Sequence, residues 1–227
     1  SYCTPANAVR AGLAGAMYSG VCPGEAGVMF ESYYRAGREV QEQRQRIDAM
    51  LRERLEQPRD DMLTFIANAE IEGQPVDWDL KLGYIRLLIV AGIDTTWSAI
   101  GSGLWHFAQH ADQVARLVAV DDDDLLWNTA TEEVLRYYAP VTMARKVIGE
   151  TEIGGCPVHP GDQMLVTFQA ANHDPAAFEN PDVFDMDRLN NRHVAFGLGI
   201  HRCVGSNLAR LECTVAFQEW LRAFPDY

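Results

Sequence analysis

The ten residues Phe196-Gly197-Leu198-Gly199-Ile200-His201-Arg202-Cys203-Val204-Gly205 constrain this chain more than any other stretch. Three glycines and one cysteine share a loop, and an apolar helical pattern follows directly, from Ser206 to about Leu221. Glycines so spaced let the backbone approach something bulky and flat. A cysteine just before a helix has its thiolate favoured by the helix N-terminus and nearby amide donors. Together these features describe a thiolate held still against a large ligand. An axial thiolate on haem iron is one chemistry that needs such an arrangement. On its own, Cys203 reads first as a buried core cysteine, the ordinary fate of a single thiol.

The chain has 227 residues, enough for one sizeable core or two small ones. A net charge of −13 argues against a nucleic-acid partner. Part of that excess is the run Asp121 to Asp124, which reads as a solvated loop. The five cysteines have neither zinc-like nor disulfide-framework spacing, and their odd number fits a reducing cytoplasm. No basic segment followed by an apolar core opens the chain. The longest apolar run, around Leu87 to Ala91, is far shorter than a bilayer span, so no membrane contact is expected. Residues 1 to 24 are rich in Ala, Gly, Ser and Pro, break at Cys22-Pro23-Gly24 and carry no motif.

Met29, Tyr33, Ala36, Val40, Ile47, Met50, Leu51 and Leu55 recur at helical spacing and predict one long amphipathic helix ending before Pro58. A shorter helix follows Arg59-Asp60-Asp61, and Ile71 to Pro75 reads as a turn. From Val76 to about Gln109 apolar residues go nearly all round, which predicts a buried helix. Its centre, Ala91-Gly92-Ile93-Asp94-Thr95-Thr96, is made of poor helix-interior residues. A carboxylate there needs a partner, and rules broken in one place mark a candidate functional site. A Thr hydroxyl bonded back to the preceding turn, with Asp94 in a buried ion pair, explains the string equally well.

Thr129-Ala130-Thr131-Glu132 has the capping-box pattern and predicts a helix ending before Pro140. Glu133 and Arg136 lie on one face of it, a pair worth only a few tenths of a kcal/mol, ~0.3, if exposed. Lys146 to Ile153 and Gln163 to Phe168 read as short strands, separated by turns at Gly154-Gly155 and Pro160-Gly161-Asp162. Arg145 stands at the start of this β region. Asn172 to Pro175 and Asn180 to Phe184 are turn-rich.

Phe-Gly-x-Gly-x-His-x-Cys-x-Gly at 196–205 resembles the haem-binding loop of the cytochrome P-450 family. Ala91 to Thr96 resembles that family's oxygen-activation motif, and Glu133-x-x-Arg136 its Glu-x-x-Arg motif, with Arg188 as the third member. The resemblance implies a mainly α protein with small β regions, the C-terminal part of the cytochrome P-450 fold. Residues 1–227 would form a partial domain lacking the N-terminal helices, the main sheet and the C-terminal end. It implies Cys203 as ligand to the iron of haem b (iron-protoporphyrin IX), with Phe196, Gly197, Gly199 and Gly205 shaping the loop. Arg145 and His201 would contact the haem propionates, His193 more weakly, and Ala91 and Gly92 would leave room over the ring. Asp94 and Thr95 would relay protons for O–O cleavage, while Glu133, Arg136 and Arg188 form a structural clasp. Leu87, Val90, Val141 and Ala144 would line a substrate pocket of apolar character.

The activity so implied is a soluble bacterial, cytoplasmic haem-thiolate monooxygenase. It would insert one atom of O2 into a small or medium apolar substrate. Electrons would come from NAD(P)H through ferredoxin and ferredoxin reductase, or through a fused reductase domain. The alternatives are a peroxide-using peroxygenase, a non-catalytic haem protein and an inactive fragment.

Overall fold

The computed structural model describes residues 23–227, with side chains from residue 39 onward. The readings on residues 1 to 22, Cys3 and Cys22 included, lie outside the described residues. The chain divides into two compact units, one ending at Ile89 and the other beginning at Val90.

In the first unit, helix α1 (Pro23–Glu56) stops two residues before Pro58, as its periodicity predicts. Helix α2 (Met62–Ala67) begins at Asp61, whose carboxylate accepts the Thr64 N–H (2.8 Å). Arg54 donates to the same carboxylate (2.7 Å), and the two together hold Asp61 down at about 2. The expected turn after α2 is a minimal hairpin, β1 (Glu70–Ile71) with β2 (Gln74–Pro75). Its two turn residues, Glu72 and Gly73, both have positive φ, matching the right-handed strand twist. Ile47, Leu51, Ile66, Ala67, Leu82 and Ile85 form this unit's core. Val40, Met50 and Leu55, read as core positions, are exposed instead.

Helix α3 (Trp78–Phe107) is 30 residues long. One expectation about it is corrected. Its apolar residues are mostly exposed, including Leu87 (63%), Val90 (62%) and Trp97 (74%), and only short stretches near its ends are buried. Its length and composition would also suffice to cross a bilayer, although its longest unbroken apolar run is short. An all-round apolar pattern states what a helix can bury, and the described residues cover only part of this one.

The second unit's core joins Ala99 and Phe107 of α3 to helices α4 (Ala111–Val118), α5 (Leu125–Tyr138) and α7 (Ser206–Ala223). Gly103 lets α3 press on α7. A Cβ there would stand 2.6 Å from Phe217 Cε1 and 3.2 Å from Val134 Cγ1.

Helix α5 starts four residues before the expected cap. Asp124 is its N-cap, accepting the Leu126 N–H (2.8 Å), so the acidic run is more than a solvated loop. Thr129 instead bonds back to the Leu125 and Leu126 carbonyls. Ala139 ends the helix in the left-handed region, just before Pro140.

Strand β3 (Thr142–Lys146) pairs antiparallel with β6 (Gln163–Thr167). Strand β4 (Thr151–Ile153) pairs with β5 (Cys156–Val158) across the Gly154-Gly155 turn. Arg145 therefore sits inside a strand that begins earlier than its alternation suggests. The short helix α6 (Phe168–Asn172) follows, and an irregular segment leads to the cysteine loop.

Candidate functional site

The cysteine loop is tied at both ends. The Cys203 N–H donates to the Phe196 carbonyl (2.8 Å), and the Gly197 N–H donates to Val194 O (2.8 Å). Between them a 3₁₀ turn (Gly199–His201) closes with Arg202 N–H on Gly199 O (3.1 Å). Gly197 (φ 67) and Gly199 (φ 63) occupy the left-handed region, which explains glycine at both positions. A Cβ on Gly205 would lie 3.9 Å from the Cys203 sulfur, in ordinary contact. Cys203 is exposed, so the core-cysteine reading fails for it. Cys213 is the buried thiol, and burial pushes it up to about 11. Around Cys203, Leu198 (70%), Ile200 (97%) and Val204 (88%) present bare apolar side chains.

The clasp is far from an exposed pair. Glu133 and Arg136 have no solvent exposure. Arg136 Nε and Nη2 donate to the two Glu133 oxygens (2.8 and 2.7 Å). Nη1 donates to Asn172 O and Pro181 O (both 2.8 Å), and Nη2 also to Val183 O (3.2 Å), so all five N–H donors are used. Arg188 Nε reaches the same carboxylate (3.2 Å) and its Nη1 donates to Glu179 O (2.8 Å). Glu133 further accepts the Asp185 N–H (2.9 Å) and Asn191 Nδ2 (3.1 Å). The turn-rich segment thus gains its shape from one carboxylate and two guanidiniums.

On α3, the Thr95 hydroxyl donates to Ala91 O (2.7 Å), the local back-bond anticipated for a helical threonine. Asp94 is exposed, so the expected buried ion pair is absent among the described residues, and the carboxylate carries no burial cost there. A Cβ on Gly92 would meet nothing within 4 Å, and Ala91 is exposed. The helix runs unbroken through this string.

Arg145 and His201 are both exposed; Arg145 Nη1 donates to Ala144 O (2.9 Å). His193 is corrected. Its side chain is buried, Nε2–H donates to Glu132 Oε2 (2.9 Å) and Nδ1 accepts the Ala195 N–H (3.3 Å). Both ring nitrogens are committed, leaving none for a propionate. Val141 is half-buried, while Val90 and Ala144 are exposed; Leu87 belongs to the first unit.

Several residues that resemble turn or cap positions in sequence shape this region. Asn172 is fully buried, accepts the Val194 N–H (2.8 Å) and donates to Arg136 O (3.0 Å). His173 donates from Nε2 to Tyr137 O (2.9 Å). Glu132, assigned to a capping box, faces Arg210 and His193. A buried asparagine beside a Glu-x-x-Arg helix has no local signature, whereas the Glu132-Glu133 doublet was a usable signal.

A family model described as cytochrome P450 matches residues 125–225. The polyketide biosynthesis cytochrome P450 PksS of Bacillus subtilis is 36% identical over 182 residues, covering 79% of this chain and 44% of the relative. The chain belongs to the cytochrome P450 family. The steroid C26-monooxygenase of Mycolicibacterium smegmatis is another similar P450, 37% identical over 178 residues, with 78% and 44% covered. Among solved structures, a Bacillus megaterium P450 in complex with testosterone aligns with TM-score 0.79 and 27% identity. That alignment covers 92% of this chain and 60% of the other. This P450 spans about 44% of the length of these curated relatives. A second model, described as a protein of unknown function (DUF2799), matches residues 1–39.

Proposed function

We propose that this chain belongs to a haem-thiolate monooxygenase that inserts one oxygen atom of O2 into a small or medium apolar substrate. Electrons reach it from NAD(P)H through ferredoxin and its reductase, or through a fused reductase domain, in the cytoplasm. The observation that carries the reading is Cys203: an exposed thiol on a loop bonded at both ends, ringed by exposed apolar side chains. That donor set fits haem, one soft anionic ligand in an apolar rim.

Cys203 would hold the iron, and its thiolate would push electron density toward it. Phe196, whose carbonyl holds the Cys203 amide, would shield the sulfur on one side. Arg145 and His201 would bind the propionates, the guanidinium being suited to carboxylates. Haem b, when bound, supplies oxygen activation and transfer, chemistry the side chains lack. Asp94 would supply a proton to the Thr95 hydroxyl as that hydroxyl releases its own toward the haem; at rest the hydroxyl donates to Ala91 O. Val90, Val141 and Ala144 would offer an apolar surface to substrate. The names of similar P450s, a steroid monooxygenase among them, support an apolar substrate class.

The test is the absorption spectrum of the reduced, carbon-monoxide-bound protein after expression with haem supplied. A strongly red-shifted Soret band that disappears in Cys203→Ser supports the assignment. Haem bound with that band retained in Cys203→Ser refutes Cys203 as the ligand.

A further inference from the structure

The carboxylate next to the clasp serves a different segment. Glu132 stands beside Glu133 on α5, but none of its side-chain bonds go to the clasp or the turn-rich segment. It pairs with Arg210 of α7 through both oxygens, Nε to Oε1 and Nη2 to Oε2 (3.1 Å). Its Oε2 also accepts His193 Nε2–H (2.9 Å). Arg210 in turn lies over the Phe196 ring, its Cζ 4.5 Å from the centroid, and reaches Ser206 O through Nη1 (3.3 Å). One carboxylate thus gathers the residue three before the loop, the aromatic residue that opens it and the helix that follows it.

We propose that Glu132 is a positioning residue for Cys203, acting through Arg210 and His193. The loop itself has little to hold it: Gly199 has open space around it, and Leu198, Ile200 and Val204 make little contact. Its order therefore depends on its two ends, and Glu132 anchors both. Guanidinium over an aromatic face is a favourable contact, and the bidentate pair fixes the guanidinium plane on Phe196. Phe196 O is the acceptor of the Cys203 amide, so the ring's placement passes directly to the backbone carrying the sulfur. The pair stays charged well into acid. Burial alone would raise the Glu132 carboxyl, but His193 and Arg210 outweigh it and bring it down to about 2. The proposal rests on the reading of Cys203 as the haem ligand.

The test is amide hydrogen exchange on the haem-free 227-residue chain, comparing wild type with Glu132→Gln and Arg210→Lys. Glu132→Gln keeps the size and removes the charge, and Arg210→Lys keeps the charge and removes the guanidinium fork, so each breaks the bidentate charge pair. The expected result is at least a ten-fold loss of protection at the Cys203 and Gly197 amides, with the Asp185 amide, held by Glu133, unchanged. Loop amides unchanged in both variants, or an equal loss at Asp185, overturn the proposal. Should Glu132→Gln not fold, Arg210→Lys decides on the same amides. In the haem-loaded protein the same substitutions should convert part of the red-shifted band to the shorter-wavelength form. Loop loosening together with no thiolate band in wild type refutes the haem assignment and leaves the positioning role standing. A normal band with no loosening refutes the positioning role alone.

Discussion

Arg136→Ala tests the clasp most directly. The substitution removes two charge-assisted bonds to Glu133 and three bonds to the carbonyls of Asn172, Pro181 and Val183. Glu133 and Arg136 are both without solvent exposure, so the surface-pair value does not apply. Breaking a buried pair by removing one partner costs about 3–5 kcal/mol, because the remaining charge is uncompensated. Here Arg188, Asn191 and the Asp185 amide still serve Glu133, which pulls the cost toward the lower figure. The orphaned Asn172 carbonyl, on a fully buried residue, adds roughly 1 kcal/mol back. A net loss of about 4 kcal/mol is a large part of the 5–15 kcal/mol, roughly, that a domain has. Urea unfolding at neutral pH, followed by circular dichroism, measures it, and exchange at the Asp185 amide localises it. Haem content after expression with haem should fall to background in both Arg136→Ala and Glu133→Ala. A loss under about 1 kcal/mol with Asp185 protection intact would refute the reasoning, since it would mean that the buried carboxylate finds other partners.

Gly103→Ala should destabilise the protein by about 1–3 kcal/mol in the same assay, since the new methyl overlaps the buried Phe217 ring; Phe217→Leu in that background should recover part of the loss. His106 gives a pH dependence of its own. Burial lowers it from 6.5 to about 4, with Nδ1 accepting the Tyr138 hydroxyl (2.8 Å) and Nε2–H on Gln113 (3.0 Å). Its folded value lies below its unfolded one, so the contribution is complete above about pH 6.5 and is lost as pH falls toward 4. At about 1.4 kcal/mol per pH unit, the loss approaches ~3 kcal/mol, and His106→Gln should flatten the stability profile in that window. Glu132, lowered from 4.5 to about 2, titrates in a separate window below it.

The loop and the clasp were legible because their chemistry is local. Glycine at 197 and 199 answers to a backbone angle, and Glu133 with Arg136 to helical spacing. The helices were legible for the same reason, α1 and α7 most closely. Burial was not, because it depends on what lies opposite. The string around Asp94 looks costly only on the assumption that α3 is buried there; Asp94 is exposed, and the Thr95 hydroxyl bonds back to Ala91 O. Asn172 and His193 answer to distant partners in the same way. Each looked like loop or ligand in sequence, and each is consumed by a bond to a residue at least 22 positions away.

The two adjacent carboxylates on α5 show why such bonds escape a local reading. Glu132 and Glu133 differ by one position, and about 100° of helix turn separates their directions. Glu133 therefore meets Arg136, Arg188 and the segment before the loop, while Glu132 meets Arg210, His193 and the loop's own ends. One helix turn distributes two anions between two irregular segments that have no regular hydrogen-bond ladder of their own. Each carboxylate contributes order to its own segment. Losses at Glu132 and at Glu133 should accordingly fall on different amides, Cys203 for one and Asp185 for the other. A single shared pattern would mean that the two segments order together, and neither carboxylate could then be assigned a task of its own.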